Sequence, residues 1–400
     1  YDVIATNGAN LGIEQNSSIQ LNTSTVGTDR KLYFTWDRYN NTVVIKRLTS
    51  GTDVTIDNVS VKQLDRDNVP RIDYTGGGCP HILSEPQRTN EITYSEDFSD
   101  SSWTKSGATV TPNNATSPDG TLNASTVNFS APSQYLLYNE TMTTVIGESV
   151  SISIYADTNT SDFLIFGGAT PSGTDVSNVE TLSGGFYRHT VTRTFTVAAT
   201  TTVQFIIWDA AIGNYVIWGA QLEEGSYATS YIPTSGSAVT RNQDIFTRDG
   251  IGSLINSTEG VLFVEMAALS NDGTFRNISL NNGTTGQTVR IYYRNQDNKI
   301  TVLIGSSSGS ASVTIDITDS LSFNKIAVQY KVNDVRVFVN GSLEGTITSV
   351  AMPVGLNELA LDVANNLHFF GKVKQLQVYD TSLSDEQLLQ LTGESGTDFY

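Results

Sequence analysis

The sequence predicts an all-β chain of antiparallel sandwiches in tandem, closed by one short C-terminal helix. Three observations carry this. Apolar and polar residues alternate in short runs along the chain, clusters of Gly, Asn, Asp and Ser separate the runs, and helical periodicity is nearly absent until the C-terminal end. A length of 400 residues allows two or three domains with separate cores, and an apolar content of 38% is enough to fill them.

In "SVSISIYA", Val150, Ile152 and Ile154 share one face and Ser151, Ser153 and Tyr155 the other, which predicts a strand with one side on a core. "TTVQFIIWDA" puts Val203, Phe205 and Ile207 on one face and Ile206 with Trp208 on the other, so both sides of that strand are expected to be covered. "NKIAVQYKVNDVRVFVNGSLEG" predicts three antiparallel strands in series. Its turns fall at Asn333-Asp334 and at Asn340-Gly341, where Asn-Gly supplies the positive φ angles a two-residue hairpin needs. In "GKVKQLQVYD" the apolar phase slips between Val373 and Leu376, and a β-bulge near Lys374 and Gln375 reconciles the two halves. The helix lies in "SLSDEQLLQLTG". Ser384 caps it, Gln387 completes a capping box, Asp385 and Glu386 sit at its positive end, and Gly393 suits the exit. Leu388 with Leu391, or else Leu389, is expected to dock it on a sheet.

Residues 31–64 and 192–225 share one plan, ending in Gln63-Leu64 and Gln221-Leu222. Residues 1–66 then hold the second half of a sandwich whose complete version is 91–240, with 67–90 as a connecting strap and 241–400 as a further sandwich. A half-sandwich exposes a core face, so the expectation is that Tyr1 is not the natural start or that another chain completes the unit.

Charge and cysteine content narrow the function. Acidic residues number 41 against 23 basic, a net charge of −18 that disfavours nucleic acid and anionic membrane surfaces as partners. Cys79, the one cysteine, forms no internal disulfide, and no apolar run reaches membrane-spanning length. With His81 it offers two ligands where a metal needs three or four, and Gly76-Gly77-Gly78, Pro80 and Pro86 around it read as turning and extended backbone.

Two resemblances follow from longer phrases. "CPHILSEPQRTNEITYSEDFSDSSWTKSGATVTPN" with "VIWGAQLEEGSYATSYIPTSGSAVTR" resembles the carbohydrate-binding-type jelly roll of bacteriophage tail-fibre and other structural proteins, over about residues 70–242. "FNKIAVQYKVNDVRVFVNGSLEGTI" followed by "FFGKVKQLQVYDTSLSDEQLLQLTG" is similar to laminin-G-like, concanavalin A-like lectin domains, over residues 260–393. The fold implied is a jelly roll followed by a concanavalin-like sandwich. The function implied is non-enzymatic attachment of a virion to bacterial surface glycans, on a tail or head fibre at the extracellular virion surface. The partners implied are a bacterial surface polysaccharide, other virion proteins and further copies of the chain, a trimer being the arrangement many phage fibres use. A spacer or decoration protein of the virion is one rival, and an accessory carbohydrate-binding region of a secreted polysaccharide-degrading enzyme is another.

Several residues suit either a binding role or a plain structural one. "VRIYYRNQDN" places Arg290, Tyr292 and Arg294 on one face, the best local surface for sugar hydroxyls and ring faces, although cross-strand pairing on a solvated sheet explains it too. Trp208 and Trp218 are candidates for stacking on sugars, or core residues; Trp103 is expected to plug the sandwich end. No cofactor is required. Asp272, beside Asn271, is a candidate calcium ligand, or an ordinary loop carboxylate. His189 and His368 read as strand positions against a core or sheet edge. Glu265 stands alone on its strand and Glu223 and Glu224 point to opposite faces, so no carboxylate pair for glycoside hydrolysis is expected.

Overall fold

Among the described residues every ladder between strands is antiparallel, and side chains alternate between faces along each strand. The computed structural model describes residues 2–6, 11–15, 18–23, 43–47, 54–57, 71–74, 80–208, 212–294, 298–364 and 367–393. The chain divides into two units, Tyr1–Asp65 and Arg66–Tyr400. In the first, Asp2–Thr6 pairs with Val54–Asp57, and Leu11–Gln15 lies between Ser18–Thr23 and Val43–Arg47. Gln63-Leu64, on which the internal repeat rests, and Cys79 lie outside the described residues.

The second unit holds two sandwiches. The central one packs a six-stranded sheet, in the order Thr109–Ala115, Ala124–Phe129, Gly213–Glu224, Ser149–Ala156, Tyr187–Phe195 and Gly173–Thr181, on a four-stranded sheet of Leu164–Phe166, Ala199–Trp208, Tyr135–Thr144 and Thr104–Ser106. Val150, Ile152 and Ile154 face Val203, Phe205 and Ile207 across the core. Trp103 closes this core as expected: it is buried against Phe98, Tyr138 and Phe205, and its indole N–H donates to the Tyr94 carbonyl at 2.9 Å. The expectation for Ser151 and Ser153 needs correction, because both are buried as well. The segment after Gly213–Glu224 crosses that face, where the Ser151 hydroxyl donates to the Gly225 carbonyl at 2.9 Å.

The C-terminal sandwich packs a six-stranded sheet (Thr247–Arg248, Glu358–Ala360, Arg276–Asn281, Thr288–Tyr293, Lys299–Ser306, Gly309–Asp316) on a seven-stranded one (Ser342–Ile347, Val335–Val339, Asn324–Lys331, Glu259–Ala268, Gly371–Tyr379, His81–Ser84, Arg71–Asp73). The predicted hairpins are present. Asn333 has φ 56°, and Asn340 and Gly341 have φ 48° and 84°, the left-handed values an Asn-Gly hairpin turn uses. The bulge also falls where the phase slips: Glu265 pairs with Gln375 and Met266 with Val373, leaving Lys374 unopposed. The helix spans Asp385–Thr392 with both capping-box hydrogen bonds formed by Ser384 and Gln387. It docks through Leu388 and Leu391 on Val261, Phe263, Ala327 and Phe338, while Leu389 is exposed. Gly393 has φ −67°, so it is not a left-handed cap; a Cβ there would stand 2.9 Å from the Leu389 carbonyl.

Sheet topology revises the serial order of domains. Residues 67–90, expected to be a connecting strap, supply two strands to the C-terminal sandwich: Arg71–Asp73 pairs with His81–Ser84, which pairs with Gly371–Tyr379. The chain then leaves through Arg88–Asn90, builds the central sandwich, and returns through Val239–Arg241, paired with Arg88–Asn90. The jelly roll is therefore inserted between two parts of the C-terminal sandwich. An ion-pair cluster closes the joint. Arg71 Nη2 donates to Glu85 Oε2 and Asp244 Oδ2, both at 2.6 Å, Arg241 Nη1 lies 2.7 Å from Glu85 Oε2, and the Ser230 amide donates to Glu85 Oε1 at 2.9 Å.

Candidate functional site

In the strand Thr288–Tyr293, Val289, Ile291 and Tyr293 enter the core, and the Tyr293 hydroxyl donates to the Met266 carbonyl at 3.0 Å. That anchoring fixes the phase of the strand, so Arg290 and Tyr292 lie on the outer face of the six-stranded sheet. Arg290 is opposite Ser279 and Leu303, and Tyr292 is opposite Asn277 and Thr301. The Arg290 guanidinium stands over the Tyr292 ring at 5.1 Å, and the Phe275 ring lies 5.9 Å from that of Tyr292. Arg294 Nη1 donates to Thr314 Oγ1 at 3.2 Å, and Thr314 and Thr301 share a hydrogen bond of 2.8 Å. The three residues grouped by sequence are thus gathered on one half-buried face.

Among the described residues Arg71, Arg193, Arg241, Arg276 and Arg336 each pair with a carboxylate, whereas Arg88, Arg188, Arg248, Arg290 and Arg294 have none within 4.0 Å; of these, Arg88 and Arg188 donate to carbonyl or hydroxyl oxygens instead. Burial pushes the Arg290 guanidinium below the ordinary arginine value, with the Tyr292 hydroxyl opposing. Beside it Asn277, 1% exposed, donates to the Leu367 carbonyl at 3.0 Å, while its Oδ1 has no partner. Ser279 donates to the Asp362 carbonyl at 2.6 Å, so the backbone at Asp362 and Leu367 borders the face. The buried polar row of Asn277, Ser279 and Asn281 carries no hydrophobic signal and was missed in the sequence.

The tryptophan candidates separate. Trp208 is half-buried on the outer face of the four-stranded sheet and stacks on Tyr135, its cross-strand partner, at 5.9 Å with 6° between planes. Gln204, further along the same face, donates to Asn139 Oδ1 at 3.1 Å. Trp218 is removed from the set, because it is 6% exposed and covered by Tyr231 at 4.5 Å and Tyr155 at 5.2 Å. Tyr155 is the cross-strand neighbour of Trp218, and Tyr231 comes from the turn after Gly213–Glu224. There the Thr229 amide and hydroxyl donate to the Glu223 carboxylate at 2.6 and 2.7 Å, Arg188 Nη2 donates to the Thr229 carbonyl at 2.5 Å, and the Ile232 amide donates to Gln221 Oε1 at 2.7 Å.

Glu223 is buried and Glu224 exposed, on opposite faces as expected. Burial pushes the Glu223 carboxyl up, against the hydrogen bonds from Thr229 and Gln221. Glu265 faces Lys374 at 3.8 Å. Asp272 needs a correction: its carboxylate accepts from Arg276 Nη2 at 2.7 Å, Ser226 Oγ at 2.7 Å and the Thr274 amide at 3.1 Å. A guanidinium already in place opposes a calcium ion, and among the described residues no group of three or more His, Cys, Asp or Glu is placed to hold a metal. His81 is buried with Nε2 3.4 Å from Asp73 Oδ2, His189 is buried with Nε2 2.6 Å from the Thr158 carbonyl, and His368 Nδ1 lies 3.4 Å from Asp362 Oδ2.

Comparison with known proteins gives two findings. Residues 262–389 match the family described as the concanavalin A-like lectin/glucanases superfamily, laminin G type. Among solved structures the chain is similar to the CBM40 of the Ruminococcus gnavus IT-sialidase. The form bound to alpha2,3 sialyllactose is 20% identical, covering 34% of this chain and 84% of that one with a TM-score of 0.30. The form bound to alpha2,6 sialyllactose is 18% identical, covering 37% and 98% with a TM-score of 0.31. No curated protein sequence matches the chain.

Proposed function

We propose that this protein is a non-enzymatic glycan-binding adhesion protein, and that the Arg290, Tyr292 and Arg294 face is its principal contact surface. The observation that carries the reading is a tyrosine ring flanked by two arginines on the outer side of a sheet, within the segment that matches the lectin and glucanase superfamily. An aromatic face takes the apolar side of a sugar ring, and guanidinium and amide groups take its hydroxyls. The stacked Trp208 and Tyr135 pair offers a second platform of the same kind on the inserted jelly roll. The phrases shared with phage structural proteins support a setting on a virion fibre, with a bacterial surface polysaccharide as receptor and other virion proteins and further copies of this chain as partners. Clustered copies would turn weak single contacts into useful avidity.

A glycan array probed with the whole chain tests the reading. Binding is expected to fall about tenfold in Tyr292→Ala, the loss of one stacking contact and its neighbours, with the denaturation midpoint held near the parent's. Silence across the array would leave the spacer role as the better account. Binding that survives Tyr292→Ala and is lost in Trp208→Ala would move the contact surface to the jelly roll.

A further inference from the structure

We propose that the glycan taken by this face carries carboxylates, with Arg290 as the residue that reads them; the inference rests on the glycan-binding reading above and names its ligand class. The chain has 41 acidic residues against 23 basic ones, so carboxylates are abundant. Even so, the Arg290 side chain makes no hydrogen bond or ion pair among the described residues, and its Nε is buried without a partner. The Tyr292 ring at 5.1 Å compensates that charge only in part, since a cation over an aromatic face is worth about 0.5–1 kcal/mol at such sites. A carboxylate supplies what is missing: two oxygens that match the guanidinium fork, and a counter-charge.

The surroundings suit an acidic sugar more than a bare anion. Tyr292 places an aromatic ring against the guanidinium, so apolar and charged groups stand together on one face. Arg294 lies four residues on, just past the end of the strand Thr288–Tyr293 and roughly 13 Å from Arg290 at the strand rise, so a polymer with repeating acid groups can meet both. The net charge of −18 opposes this only at long range, because the Debye length is about 8 Å at physiological salt and the contact at Arg290 is closer than that.

The test uses the whole chain and matched pairs of polysaccharides, polygalacturonate, alginate and hyaluronan, each beside its carboxyl-reduced form. Carboxyl reduction is expected to weaken binding about tenfold or more, the worth of a charge-assisted hydrogen bond, and Arg290→Gln is expected to abolish that discrimination. Arg248→Gln, an exposed arginine on the edge strand of the same sheet, is expected to change nothing. As an independent readout, Arg290→Met is expected to keep or raise the denaturation midpoint, because it removes an uncompensated charge; a clear drop would mean that Arg290 has a structural partner and would overturn the proposal. Equal binding of acidic and reduced forms, or acid binding unchanged in Arg290→Gln, overturns the acidic-ligand inference and leaves glycan binding standing. No binding to either form of any pair, together with a silent glycan array, overturns both.

Discussion

Glu85→Gln tests whether the joint between the inserted jelly roll and its host sandwich is held by charge. The Glu85 side chain is 5% exposed and meets Arg71 at 2.6 Å and Arg241 at 2.7 Å. Removing one partner of a buried ion pair costs about 3–5 kcal/mol where the remaining charge is stranded. Here the loss is smaller. Arg71 is 34% exposed and keeps Asp244 at 2.6 Å, and Arg241 keeps the Ser230 and Pro86 carbonyls. A cost of about 2–3 kcal/mol remains, mainly from Arg241 and from turning an amide N–H toward a guanidinium. The pH dependence adds a second check. Burial works to raise the Glu85 carboxyl, but Arg241, Arg71 and the Ser230 amide outweigh it and hold the group below its ordinary value of 4.5. A carboxyl with a depressed folded value contributes stability that is full above the unfolded value and is lost as pH falls through the folded one. Urea unfolding of the parent and Glu85→Gln, followed by fluorescence between about pH 7 and pH 3, reads both effects. The variant is expected to be less stable at neutral pH and to show a shallower acid limb. A variant within about 0.5 kcal/mol of the parent, with the same acid limb, would refute the reasoning.

Three further outcomes follow from the packing. Trp103→Ala is expected to cost about 3–5 kcal/mol, since it empties the end of the central core and strands the Tyr94 carbonyl; a thermal or urea midpoint measures it, and a loss under about 1 kcal/mol would show that the core does not depend on it. Ser384→Ala is expected to cost about 1 kcal/mol through the lost cap on the Gln387 amide, read as earlier amide exchange in Asp385–Thr392. Millimolar calcium is expected to leave the denaturation midpoint unchanged and to give no binding heat, while Asp272→Asn costs about 1–2 kcal/mol by leaving the buried Arg276 without its counter-ion; calcium-dependent stabilisation lost in that variant would refute this.

The parts of the fold that were legible are those whose signal is local. Asn340-Gly341 fixes a turn by its own φ preferences, the slip between Val373 and Leu376 needs one extra residue wherever the strand pairs, and Ser384 with Gln387 caps a helix from within it. The nested topology was not legible, because "RID" and "HILS" are too short to show a period, and Gly371–Tyr379, on which "HILS" docks, lies near the other end of the chain. The burial of Ser151, and the choice of core over sugar platform for Trp218, have a related cause: alternation tells which residues share a face, and gives no sign that the following turn folds back over it. The same limit applies to the candidate site. Period two placed Arg290, Tyr292 and Arg294 together, but whether a carboxylate stands beside Arg290 depends on the neighbouring strands, which among the described residues bring Ser279 and Leu303 opposite it.

The paired strands Arg88–Asn90 and Val239–Arg241 also impose an order on biosynthesis. As the polypeptide emerges from the ribosome, the jelly roll has every strand it needs once that ladder can close, and it can fold while the rest is still being made. His81–Ser84 has to wait, holding one open edge until Gly371–Tyr379 emerges to dock on it.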